Sequence, residues 1–221
     1  MSIFELFAQT YPRLLQGLWM TIELTLVSLL IAAVLGLLFG LLSVSRTAFL
    51  RGISRVYIDI IRGTPLIVQV FFIYFGIPSA LNMRLDAFIA GVIALSLNAG
   101  AYTAEIVRGG IQSIDKGQME AARSLGLPYT MAMRRVVLPQ AIKTMIPAIV
   151  NQCIITLKDS SLVSVIGLAE LTQTGRLIIA NNFESLKMWI IIGVMYFIPI
   201  MILSKVSSHI ERKMSYGKSK N

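Results

Sequence analysis

Charge is scarce in this sequence: 14% of its 221 residues are Asp, Glu, Lys or Arg, against about a quarter in soluble domains. Cysteine and histidine are scarcer still, with one of each, Cys153 and His209. A lone cysteine excludes an internal disulfide and any Cys-X-X-Cys redox or metal motif, and its apolar neighbours mark an inert thiol. His209 lies beyond the last long apolar run among Ser208, Glu211 and Arg212. A solvated histidine there gives a membrane-bound enzyme no convergent nucleophile, and no metal site is expected. A P-loop is missing as well, because the one Gly-Lys-Ser, Gly217 to Ser219, has Arg212 where the leading glycine belongs. What fills the sequence instead is hydrophobic residues, 56% of the total with a mean hydropathy of +0.75. That exceeds what one soluble core of this size can bury without exposing large patches, so a soluble enzyme and a disordered tail are both excluded.

A bilayer core needs roughly 20 mostly apolar helical residues. Leu24 to Leu42 and Pro65 to Met83 give uncharged runs of 19, Ala87 to Ala104 gives 18 and Met188 to Ser204 gives 17. Thr144 to Leu157 holds 14, stops at Lys158 and Asp159, and resumes as Ser160 to Ala169. This reads as an interrupted span with a polar feature at or near membrane depth. The expected fold is an all-α integral membrane protein, a single transmembrane domain over 1–221 with five transmembrane helices near 18–42, 63–83, 87–107, 144–166 and 188–206. Of the 20 basic residues, 15 follow the first, third and fifth spans and five lie on the other side. The positive-inside rule then places the amino terminus outside and the carboxyl terminus in the cytoplasm. Orientation accounts for the net charge of +9 without nucleic acid. The first 20 residues lack a basic start and a small-residue cleavage site, so the first run is expected to be an uncleaved anchor.

The cytoplasmic loop 109–143 carries helix punctuation. Asp115 followed by Gln118 resembles a capping box, and Gly126 with Pro128 beyond it forms a stop. A second short helix is expected from Pro128 to about Val137, ended by Pro139. From local physics alone this basic helix-turn-helix reads equally as a membrane-surface connection with arginines near lipid phosphates.

The residues themselves shift the balance. Glu120-Ala121-Ala122, then Gly126, then Val136-Val137-Leu138-Pro139 match the spacing of the EAA loop of binding-protein-dependent ABC importer permeases. Gln16 to Thr21, Arg62-Gly63-Thr64-Pro65-Leu66-Ile67-Val68-Gln69, Asn98 to Glu105 and Lys158-Asp159-Ser160-Ser161-Leu162 resemble the histidine/glutamine, polar amino acid branch of that family, in order and spacing. The resemblance implies a type I ABC importer permease fold. It implies that Glu120, Ala121, Ala122, Gly126, Leu127 and Pro139 couple the chain to a separate ABC ATPase subunit, which holds the ATP and Mg, this chain carrying no cofactor of its own. It also implies a second permease subunit, identical or different, an extracytoplasmic amino-acid-binding protein and a bacterial cytoplasmic membrane. Thr64, Pro65 and Gln69 are assigned as a candidate gate.

Ionisable and amide groups within spans are costly and mark function by default. Glu23 is read as offsetting the helix dipole at the outer start of the first span. Glu105 and Arg108, three apart, pair as a helix-end anchor. Asn98 and Tyr102 share a face at i and i+4, fitting either helix-helix contact or a pathway lining. Asn151, Gln152, Lys158, Asp159, Ser160 and Ser161 lie in the fourth segment, taken to be broken at Pro147. Asp159 can accept from an ammonium group, and Lys158, hydroxyls or free backbone amides can meet a carboxylate. The alternative is a mutually neutralising Lys158 and Asp159 pair at the outer interface. The expected function is polar amino acid import without bond chemistry in this chain. An ion-coupled secondary amino acid transporter is the competing reading, disfavoured by the lack of an internal repeat.

Overall fold

The computed structural model describes residues 2–215, which fold without strands. Helix α1 (Ile3–Ser43) begins well before the expected span, because Ser2 and Glu5 form a reciprocal cap: the Glu5 amide donates to Ser2 Oγ at 3.2 Å and the Ser2 amide to Glu5 Oε2 at 2.8 Å. Glu23 therefore sits exposed in the interior of a 41-residue helix, and the acidic residue at the dipole's positive end is Glu5.

Residues expected to form a basic connection make a second helix, α2 (Ala48–Arg62), followed at a 100° bend by α3 (Leu66–Phe71), one π turn, and α4 (Ile77–Leu81). The run from Leu66 to Leu81 is 16 residues, roughly 24 Å at 1.5 Å per residue, which is short for a bilayer core. Only together with α2 does it reach the length and apolarity of a span, with the bend inside it. Four other helical stretches are long and apolar enough to span: Ile3–Ser43, Ala87–Gln112, Tyr129–Ile166 and Ser185–Ile210.

Helix α5 (Ala87–Gln112) is the hub of the bundle. Gly91 lies beside Leu24, Gly36 beside Thr103 and Gly40 beside Val107, each pair 67 residues apart. A constant positive interval means α1 and α5 run parallel in fixed register. Close approach needs the missing side chain: a Cβ on Gly40 would lie 2.5 Å from Val107 Cβ. Helix α2 is tied to both by the Ser54 hydroxyl donating to the Phe39 carbonyl at 2.6 Å and the Tyr57 hydroxyl to the Leu97 carbonyl at 2.7 Å.

The 109–143 loop contains α6 (Lys116–Ser124) and α7 (Tyr129–Ala132). The second helix does not end near Val137 as its proline suggested. It passes through a π turn, Met133–Val137, straight into α8 (Leu138–Asp159), and Pro147 lies inside α8 without breaking it. The widened turn closes with the Leu138 amide on the Met133 carbonyl, five residues back, and this relieves the ring of Pro139 of its clash with the preceding turn. The expected interruption falls later, where α8 tightens to a 3-10 segment, Ser160–Ile166, and stops at Gly167 in the left-handed region with φ +84°. Gly110 packs on Met145 and Gly91 on Val163, so α8 runs antiparallel to α5.

Two helices complete the chain, α9 (Leu171–Asn182) and α10 (Ser185–Ser215). Buried Glu170 caps α9, accepting from the amides of Thr172 at 3.0 Å and Gln173 at 2.7 Å and from the Tyr196 hydroxyl at 2.7 Å. Burial pushes its carboxyl above the ordinary carboxylate range against these donors. Thr21 on α1 accepts from the Leu171 amide at 3.1 Å, so one polar node joins α1, α9 and α10. The Gly217 to Ser219 segment lies outside the described residues.

Candidate functional site

The bend between α2 and α3 faces α5 and α8 across a cavity of about 530 Å³. Thr64 and Pro65 of the expected gate, and Asn98, Tyr102, Gln152 and Asp159 of the expected path, all line it. Asn98 and Tyr102 are brought there by their i, i+4 spacing on α5, and Gln152, Ile155 and Asp159 by spacings of three and four on α8. Pro147 leaves that face continuous.

Gln69 stands behind the lining as a brace. Its Nε2 donates to the Ile61 carbonyl at 2.7 Å, the Thr64 carbonyl at 3.1 Å and Thr64 Oγ1 at 2.9 Å, which holds the corner between α2 and α3. Its Oε1 accepts from Asn98 Nδ2 at 3.4 Å. Asn98 thus bonds a neighbouring segment and also lines the cavity.

Other expected path residues are not in the lining. Asn151 and Lys158 are exposed on the far side of α8 turns. Ser160 is fully buried and spends its hydroxyl on the Leu157 carbonyl at 2.7 Å, and Ser161 does the same to the Lys158 carbonyl at 2.7 Å. Among the described residues Lys158 and Asp159 form no ion pair, so adjacent positions on the helix point the two charges apart.

The cavity's cation is Arg62, which sequence reasoning passed over as a loop arginine. Its Nη1 lies 3.2 Å from Glu105 Oε2, and its guanidinium is 5.1 Å from the centroid of the Tyr102 ring. Glu105 and Arg108 pair as expected, with Nε and Nη2 each at 2.8 Å from a carboxylate oxygen. The signal that could have revealed Arg62 was its position directly before Gly63-Thr64-Pro65, a corner that turns the last α2 side chain inward.

The 109–143 loop is a separate surface. Asp115 accepts from the Gly117 amide at 2.6 Å and starts α6; Gln118 does not return a bond to the Asp115 amide as Glu5 does to Ser2, and its side chain meets Gln140 Nε2 at 3.4 Å instead. At the other end Gly126 has φ +84°, its amide reaches the Arg123 carbonyl at 3.0 Å and the Leu127 amide reaches the Ala122 carbonyl at 3.2 Å. This pair of bonds is the Schellman stop anticipated at Gly126. Glu120, Ala121 and Gly126 are exposed, whereas Ala122 turns into the chain itself at 5% exposure. Leu127 is half-buried and Pro139 is exposed on the π-turn helix. Leu125, unremarked in the sequence, is 84% exposed at the tip and adds an apolar knob to this face.

Residues 9–216 match the family described as "Binding-protein-dependent transport system inner membrane component". The chain is 44% identical over 204 residues to the glutamine transport system permease protein GlnP of Escherichia coli (strain K12), covering 92% of this chain and 93% of that protein. It is 41% identical over 203 residues to the arginine transport system permease protein ArtQ of Bacillus subtilis (strain 168), again covering 92% and 93%. The crystal structure of an amino acid ABC transporter with histidines superposes with a TM-score of 0.91 at 42% identity, over 96% of this chain and 99% of that one. The inward-facing MetNI methionine ABC transporter, at 23% identity and a TM-score of 0.80 over 93% and 98% of the two chains, shows the same fold. With its family, its fold and its long relatives in agreement, this chain belongs to the binding-protein-dependent transport system inner membrane components, as a membrane permease of an ABC importer.

Proposed function

We propose that this permease conducts polar amino acids, of the kind named for its glutamine and arginine relatives, through the cavity between the α2–α3 bend, α5 and α8. The observation that carries this reading is the continuous helical run from Tyr129 to Ile166. Its first turns belong to the coupling loop and its last turns carry Gln152 and Asp159 into the cavity. A displacement at α6 enters this run through the short Gly126 turn and is then carried to the cavity wall along one helical stretch.

In this reading the exposed face of α6, with Glu120, Ala121 and Leu125, seats on a separate ATPase subunit that binds ATP and Mg. Closure of two such subunits tilts the Tyr129–Ile166 helix and exchanges outward-open for inward-open cavities. A second permease subunit, the same or different, completes the pair, and an extracytoplasmic binding protein delivers the amino acid. The amino terminus is outside and the carboxyl terminus cytoplasmic in a bacterial inner membrane; the parallel run of α1 and α5 and the reversed run of α8 support this alternation. Asp159 receives an ammonium or basic side-chain group in the cavity.

The test is reconstitution of the chain with its co-purifying subunits in vesicles. Amino acid uptake that requires ATP and the binding protein is the expected result. Uptake by the chain alone, driven by an ion gradient, would establish the secondary-transporter reading instead.

A further inference from the structure

We infer that Arg62 is the receptor for the carboxylate of the transported amino acid, held ready by Glu105 in the empty cavity and passed to the substrate while Arg108 keeps Glu105 neutralised. This rests on the cavity being the translocation site.

The asymmetry around Glu105 is the first support. Arg108 grips the carboxylate with two nitrogens at 2.8 Å and anchors Nη1 on Gln112 Oε1 at 2.7 Å, whereas Arg62 approaches with one nitrogen at 3.2 Å. Moving Arg62 away leaves Glu105 paired, so no carboxylate is stranded. A guanidinium carries five N–H donors in a fixed fork suited to a bidentate carboxylate. Among the described residues Glu105 is its one ion-pair partner, and its side chain keeps 39% of its surface open. Tyr102 beneath it supports the planar group without consuming a donor.

The second support is where the opposite charge lies. The contacts of Gly110 with Met145 and of Gly91 with Val163 set the antiparallel register of α5 and α8. That register puts Asp159 level with Ser96, six residues from Tyr102 along α5, or roughly 9 Å at 1.5 Å per residue. One cation and one anion thus line the same cavity at different levels, with the amides of Asn98 and Gln152 in the same lining. An amino acid can present its carboxylate to Arg62 and a cationic group to Asp159 in one orientation. Lys158, the other cation considered for the carboxylate, is absent from the lining.

The exchange also touches the moving parts. Arg62 is the last residue of α2 and Glu105 belongs to α5, so handing Arg62 to substrate loosens a tie between α2 and α5 beside the 100° corner that Gln69 braces. Substrate occupancy is in this way felt at the corner.

The experiment measures equilibrium binding of L-glutamine, L-arginine and their α-carboxamides to the purified permease–ATPase complex, without the binding protein. The wild type is expected to prefer each acid over its carboxamide by about tenfold or more, as a charge-assisted contact requires. Arg62→Gln should abolish that preference and Arg62→Lys should keep part of it. Glu105→Gln, which frees Arg62 from its competitor, should tighten binding of the acids and leave the carboxamides unchanged. An undiminished preference in Arg62→Gln, or weakened acid binding in Glu105→Gln, would overturn the assignment. If Arg62→Gln does not assemble, the Glu105→Gln and Arg62→Lys arms decide it. A wild-type complex that binds acids and carboxamides alike also rejects Arg62, while one that binds none of the four removes the translocation site itself and the inference with it.

Discussion

The Arg46 guanidinium lies 4.0 Å from the centroid of the Tyr129 ring. Arg46 follows the end of α1, and Tyr129 opens the helix that runs from the coupling loop to the cavity. Arg51 fixes the corner by donating from Nη1 to the carbonyls of Ser45 and Arg46, both at 2.8 Å. The contact therefore ties the parallel α1–α5 pair to the coupling loop. Replacing Tyr129 with Ala should lower amino acid transported per ATP hydrolysed by about two- to fivefold, the range of an exposed cation–π contact, and Tyr129→Phe should retain most of it. Parallel measurement of uptake and phosphate release in vesicles checks this, and equal ratios in all three proteins would exclude a coupling role for the pair.

Gly126 occupies the left-handed region at the stop of α6, where a β-branched residue costs on the order of 1–3 kcal/mol. No neighbouring atom crowds the position, so the cost is one of backbone conformation. Gly126→Val should insert into the membrane normally, retain less ATPase subunit through purification and lose uptake in proportion. Full ATPase retention together with wild-type uptake would refute a coupling role for this turn.

Asp159 faces the cavity and Lys158 does not, and no ion pair joins them among the described residues. Asp159→Asn should weaken transport by an amount on the order of 2–5 kcal/mol if its contact with a cationic group is desolvated. Adding Lys158→Met should not restore it, because the two charges are not a neutralising pair. Recovery of uptake in the double variant would reassign Asp159 to structure.

Orientation is read by single cysteines introduced into a Cys153→Ala background. A site beside Arg84, in the exposed turn after α4, should react with an impermeant reagent in intact cells. A site beside Arg123 on α6 should react only after permeabilisation. The reverse pattern would invert the topology.

Apolar run length, the basic-residue bias and the glycine–proline stop at Gly126 were decided within short stretches of chain, by forces that act locally: transfer of side chains to lipid and the steric limits of the backbone. The sequence by itself therefore determined a multi-span helical permease, the Gly126 stop of its α6 loop, and a set of polar positions among which Asn98, Tyr102, Gln152 and Asp159 do share one cavity. The tertiary structure alone decided what depends on neighbours distant in sequence. Pro139 looked like a helix end because its local cost was visible, while the π turn that absorbs it was not. Lys158 and Asp159 looked like a pair because they are adjacent, yet a helix turns successive residues about 100° apart, and only packing against α5 fixes which of them meets the cavity. Arg62 became the cavity's cation through a 100° bend and a carboxylate 43 positions away, a relationship that no window of sequence contains.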